Sequence, residues 1–278
     1  MSLLGFQQVL SELVMSPEFC SKVLTDPEGT LTAFDLTPLE HQRLAILAKQ
    51  PGLSIGTTIH RSFRLNMLVS TLPKTCTLLE FQNLKQIVHA YWHTQPPRNF
   101  YYEQEAARFG EFVLAQLKLG LIQNDFLEEI LRFELAVLSL TRVTREEIPA
   151  DETSGHSEKE TKFLYLNPLY RIVFFRHQPD ILLTALGEGR MPEHVTEGNY
   201  YLLLAQSPEN QLQIKQIGSR LGELLSACDG QSSVALVCTQ LSLAVQDLEV
   251  LAEAGYIFFK TKSRAYGTQQ SSAQDYKV

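Results

Sequence analysis

Apolar residues in the first half of the chain recur at intervals of three and four, the period of a helix with one buried face. Leu3, Phe6, Leu10, Leu13 and Val14 set this pattern over 3–15. Pro17 restarts the chain into a short helix through Phe19 and Val23, and Thr25-Asp26-Pro27-Glu28-Gly29 reads as a turn. The clearest local signal is Thr37-Pro38-Leu39-Glu40. A threonine oxygen accepts a first-turn amide, proline suits the first helical position, and the glutamate reaches back to the cap amide. The helix so started is expected to run to about Gln50 and to stop at Pro51-Gly52. A longer helix, roughly 56–71, ends before Pro73. Another spans about 80–94, with Leu84, Ile87, Val88 and Tyr91 on one face, and breaks at Pro96-Pro97. The next runs from about 100 to 119, with Gly120 as its stop. Asn124 or Asp125 caps a last helix carrying Phe126, Ile130, Phe133, Leu135 and Leu138. Residues 1–143 are therefore expected to form an all-helical bundle.

The pattern then changes. Residues 144–162 carry six acidic residues and no aromatic, and read as a flexible linker between domains. Beyond it, Tyr170–Phe175 is β-branched and aromatic, as in a strand. A short helix follows over 180–186, then a strand over 199–205. Ser207-Pro208-Glu209-Asn210 turns the chain into a return arm at 212–217. Alternation sends Leu212 and Ile214 to one side of that arm and Gln211, Gln213 and Lys215 to the other. Three short helices come next. The first ends at Asp229-Gly230, the second covers 234–240, and the third, capped by Ser242, covers 243–254. A final strand covers 256–259. Residues 163–260 thus read as a small winged-helix-like domain with a β-hairpin and three helices, and 261–278 as a disordered tail. The fold class expected is α+β.

Composition narrows the function classes. The 278 residues carry 24 Lys and Arg against 31 Asp and Glu, a net charge of −7. That balance argues against a general binder of nucleic acid or of an anionic membrane. No apolar run reaches the ~18 residues of a membrane span. The opening MSLLGFQQVLSEL has neither a basic leader nor a small-residue cleavage site, and reads as an amphipathic helix. Cys20, Cys76, Cys228 and Cys238 show no CxxC spacing, so buried reduced thiols and a cytoplasmic location are expected.

No motif for nucleophilic, phosphate-binding or dinucleotide chemistry occurs, and no catalytic residue is assigned. His89 and His93 share a helix face, but their HAYWH segment lacks the glutamate of a zinc protease helix, and an ordinary helix face is the favoured reading. His60, Arg61 and Arg64 form a local basic face that could hold an anion. Pairing with the bundle's own acids is the simpler reading, because 1–142 holds 12 basic and 14 acidic residues. In a winged helix the third helix enters the DNA major groove. Here that helix is AVQDLEVLAEAG, with Asp247, Glu249 and Glu253 and no Lys or Arg, so phosphates would repel it. The same architecture can instead capture an extended peptide as one more strand on the hairpin edge. The groove expected to read its side chains lies between 211–216 and 243–254. Gln211, Gln213, Lys215, Gln246 and Glu249 are the candidate peptide contacts.

The stretches LGELLSACDGQSSVALVCTQL and LEVLAEAGYIFF, following a strand and a hairpin, resemble the peptide-recognition element of peptide-modification pathways. The pyrroloquinoline-quinone peptide chaperone is its simplest relative, and the helix at 180–186 departs from that minimal form. The stretches FRLNMLVSTLPKTCTLLEF, YWHTQPP and EAARFGEFV resemble the N-terminal domain of partner proteins of multinuclear non-heme iron oxidative enzymes. The resemblance implies a partner that presents a ribosomal precursor peptide to the modifying enzyme in peptide natural-product biosynthesis. It implies no cofactor and no iron ligands in this chain, since the metal would belong to the enzyme. A winged-helix DNA-binding regulator, and an enzyme with a dispersed site around His89, His93 and Glu105, stand as alternatives.

Overall fold

The fold is taken from a computed structural model, which describes residues 3–95, 102–141, 162–207 and 211–261. Most of the expected linker and tail, the Pro96-Pro97 break and Pro208–Asn210 of the turn lie outside these residues.

Proline starts explain the helical half. The helices are α1 (Leu3–Met15), α2 (Pro17–Thr25), α3 (Pro27–Leu31), α4 (Pro38–Ala48), α5 (Pro51–Thr71), α6 (Pro73–Glu80), α7 (Leu84–Thr94), α8 (Tyr102–Lys118) and α9 (Leu127–Leu140). The capping box at Thr37 is present: the Thr37 amide donates to Glu40 Oε2 at 2.8 Å, and the Glu40 amide donates to Thr37 Oγ1 at 3.3 Å. Pro51 and Pro73, read as stops, instead open α5 and α6. A first-turn amide has no helical partner, so proline loses nothing there, and its fixed φ suits the helix. For the same reason Thr25–Gly29 is no simple turn. Asp26 caps α3, its side chain accepting from the Gly29 amide at 2.9 Å. The helix expected over 80–94 starts later, at Leu84, with Asn83 in the left-handed region (φ 73°) as the cap of α7. Gly120, at φ 70°, closes the turn after α8 as expected.

The contacts divide the chain into two compact units. One holds the residues up to Pro73 together with Asn83–Phe112; the other holds Lys74–Gln82 and the described residues from Val113 onwards. This division differs from the expected boundary at 143: α6 and α9 belong with the sheets. In the first unit, α1, α2, α4 and α5 enclose Val9, Leu13, Val23, Leu31, Leu44 and Leu53. Tyr91 is fully buried there, its ring 5.2 Å from Phe109 and 5.5 Å from Phe112.

The second unit carries β1 (Lys162–Leu166), β2 (Tyr170–His177), α10 (Pro179–Gly187), β3 (Glu197–Gln206), β4 (Leu212–Ile217), α11 (Ser219–Ser226), β5 (Asp229–Ser233), α12 (Val234–Leu241), α13 (Val245–Glu253) and β6 (Ile257–Thr261). The molecule is α+β, as the sequence predicts. Two strands were not anticipated, β1 and β5. β1 pairs with both β5 and β6 in a sheet ordered β5-β1-β6, while β2-β3-β4 forms a second antiparallel sheet. The run α11-β5-α12-α13-β6 gives the winged-helix-like order. Ser242 does not cap α13: at φ 51° it ends α12, and Asp247 accepts the amide of Ala244 at the start of α13.

Both faces of the β2-β3-β4 sheet are covered over β2 and β3. On one, α9 packs with Phe133 against Phe175 (ring centroids 6.0 Å) and Ser139 Oγ accepting from Arg171 Nε at 2.9 Å. On the other, α11 packs against β2 and β3. Gly222 makes that approach; a methyl group there would overlap the Tyr201 ring.

Candidate functional site

The candidate site is the outer edge of β4. Register pairs Lys215 with Leu203, Ile214 with Leu204, Gln213 with Ala205 and Leu212 with Gln206. Directly opposed residues share a face, so Leu212 and Ile214 lie on the α9 side of the sheet and Gln213 and Lys215 on the α11 side. This is the split that the alternation predicts. Over 211–216 neither helix buries the strand; only Ile217 at its end packs with Leu224 and Leu225 of α11. Leu212 and Ile214 remain 42% and 47% exposed, and Gln211, Gln213, Lys215 and Gln216 are exposed as well.

The hydrogen-bond phase of β4 can be followed from the hairpin end. The Ser207 amide donates to the Gln211 carbonyl at 2.9 Å, whereas the Gln206 amide turns the other way and donates to Leu169 beyond β2. Antiparallel bonding alternates along a strand. The backbone groups of Gln211, Gln213 and Lys215 therefore point to β3, and those of Leu212, Ile214 and Gln216 point outward. Among the described residues no strand pairs with that edge: β2 takes the other side of β3, and β6 joins β1.

The expected groove is drawn differently by the structure. Gln246 and Glu249 are exposed on α13 as supposed, but α13 packs against β6. The helix flanking the hairpin sheet on this face is α11. The elements that carry the two sets of candidates share an apolar cluster, which Ile217 at the end of β4 and Leu248 of α13 enter with Leu164, Leu203, Leu224 and Val237, and none of the five candidates belongs to it. Gln211, Gln213 and Lys215 are together on the edge strand; Gln246 and Glu249 form a separate exposed pair.

The other sequence candidates find local partners. Arg64 is buried and donates through Nε to Glu105 Oε1 at 2.8 Å, with Trp92 and Tyr91 beneath its guanidinium at 5.4 and 5.7 Å. Arg61 reaches Glu18 at 3.6 Å. The basic face around His60 is thus tied to the unit's own acids, and burial holds the His60 imidazole below its ordinary value. His89 and His93 are exposed on α7, and Glu105 is committed to Arg64 and Arg108. Among the described residues no three of His, Cys, Asp and Glu gather as a metal-binding group. No single described helix is long and apolar enough to cross a membrane.

Two buried carboxylates on α9, Glu129 and Glu134, are not among the sequence candidates. Glu129 accepts from the Arg176 amide at 2.7 Å and meets His177 Nδ1 at 2.7 Å. Glu134 accepts from the amides of Lys74 and Thr75, at 2.8 and 2.9 Å, where α6 begins. Their one sequence signal is acid inside an apolar helix face, at positions that pair with nothing nearby in sequence. All four thiols are free; Cys76 and Cys228 are buried, and Cys20 and Cys238 half-buried. Burial pushes the thiols of Cys76 and Cys228 up to about 12. Compared with known proteins, the chain matches no protein-family model and no curated relative.

Proposed function

We propose that this chain is a non-catalytic adaptor that takes up an extended peptide as a further strand on β4 and presents it to a modifying enzyme. The observation that carries this reading is the outer edge of β4, with outward backbone groups at Leu212, Ile214 and Gln216 and, among the described residues, no helix or strand over 211–216. An added strand would satisfy these groups, and its alternate side chains would fall on Leu212 and Ile214 to one side and on Gln213 and Lys215 to the other. Leaving such an edge open invites unwanted pairing, so its retention fits a use for it. The enzyme class comes from the resemblance alone: a multinuclear iron oxidase acting on a ribosomal precursor peptide.

The test is binding of a fluorescently labelled precursor peptide, encoded beside this chain, with the modifying enzyme assayed in parallel by pull-down. Peptide binding that Ile214→Pro abolishes supports the reading. Proline there removes an outward amide and leaves the bonds to β3 in place. Association with neither peptide nor enzyme would overturn it.

A further inference from the structure

We infer that β4 pairs with β4 of a second copy of this chain when no peptide occupies it. This goes beyond the peptide reading and rests on the strand itself. The segment Gln211-Leu212-Gln213-Ile214-Lys215 is self-complementary about Gln213. Run antiparallel to itself about that residue, it sets Leu212 opposite Ile214 of the second copy, and Ile214 opposite Leu212. These residues carry the outward backbone groups, so each such pair exchanges both hydrogen bonds. The four apolar side chains then meet on the α9 side, where both are now exposed. On the other side, Gln213 faces Gln213 and Lys215 faces Gln211, so the single charge of the strand opposes no like charge. A shift of one residue would set apolar against polar side chains along the strand and lose this match. Residues 211–216 are all exposed, so among the described residues no helix stands over this stretch of the edge.

The contact is short. It buries less than the roughly 1,200 Å² of a standard stable interface, so the dimer is weak and concentration-dependent, and a peptide strand displaces it.

The phase gives a register-specific test. Gln213 sits in the pair whose backbone groups face away from the new partner, where opposed Cα atoms lie about 4.5 Å apart. That is within disulfide reach. In the full chain, Gln213→Cys is expected to oxidise to a covalent dimer several-fold faster than Lys215→Cys, with the wild-type chain as the blank for its native thiols. Light scattering on the wild type should show mass rising towards that of a dimer with concentration, and Ile214→Pro, checked as folded by circular dichroism, should remain monomeric. A wild type that stays monomeric at every concentration, with Gln213→Cys crosslinking no faster than Lys215→Cys, overturns the inference. So does a dimer that survives Ile214→Pro. If labelled precursor peptide still binds in either case, the adaptor reading stands while the dimer falls. If the dimer forms as described and no peptide displaces it, the reverse holds.

Discussion

Glu129 and His177 form a buried pair, Oε1 to Nδ1 at 2.7 Å, that fastens α9 to the end of β2. The second carboxylate oxygen accepts the Arg176 amide at 2.7 Å and the His177 amide at 3.3 Å, where the β2–β3 register shifts between Phe175 and His177. Phe126 covers the imidazole edge-on at 4.8 Å. Glu129→Ala would leave these amides and the imidazole buried without an acceptor. Breaking a buried pair on one side costs about 3–5 kcal/mol. An unfolding free energy lowered by that amount is expected in urea denaturation, and a change under ~1 kcal/mol would show that water replaces the carboxylate.

Glu134 makes stability depend on pH in the direction opposite to that of an ordinary surface carboxylate. Burial raises its carboxyl above the usual 4.5, against the lowering effect of the Thr75 and Lys74 amides. The folded chain therefore holds this proton more tightly than the unfolded chain. The stability it contributes is complete below about pH 4.5 and is lost as pH rises through the folded value. Relative to Glu134→Gln, the wild type should lose stability as pH increases from 4.5 upwards, measured as the difference between two denaturation series. A difference that grows in favour of the wild type over that window would contradict the assignment.

Gly222 lets α11 lie directly on Tyr201 of β3. A Cβ would overlap the ring near its attachment to the backbone, where the side chain has little freedom to move away. Overpacking of this kind costs about 1–3 kcal/mol. Gly222→Ala should lower the melting temperature, although alanine is the better helix former. An unchanged or raised melting temperature would mean that the sheet and helix separate without cost.

The buried thiols should be inert in the folded chain. With Cys76 and Cys228 pushed up to about 12, their thiolate fraction at pH 8 is on the order of 10⁻⁴. Titration with a thiol reagent should leave both unmodified until denaturant is added, when all four cysteines react. Modification of either under native conditions, mapped by peptide mass spectrometry, would count against their burial.

The sequence determined what is local. The capping box at Thr37, the glycine stop at 120 and the alternation along 211–215 are each set by a few neighbouring residues, and each is present in the structure. Prolines 51 and 73 were legible as helix boundaries but not as starts, because a proline marks a boundary from either side and only the flanking helix says which. The candidate contacts Gln211, Gln213 and Lys215 were legible as one polar face for the same local reason. Tertiary structure alone decided which strands pair, that α9 joins the sheets, that α11 flanks the hairpin in place of α13, and that Glu129 and Glu134 receive amides 47 and 59 residues distant. Such pairings are selected by burial of whole faces and by the saturation of backbone groups. No short stretch of sequence encodes either quantity.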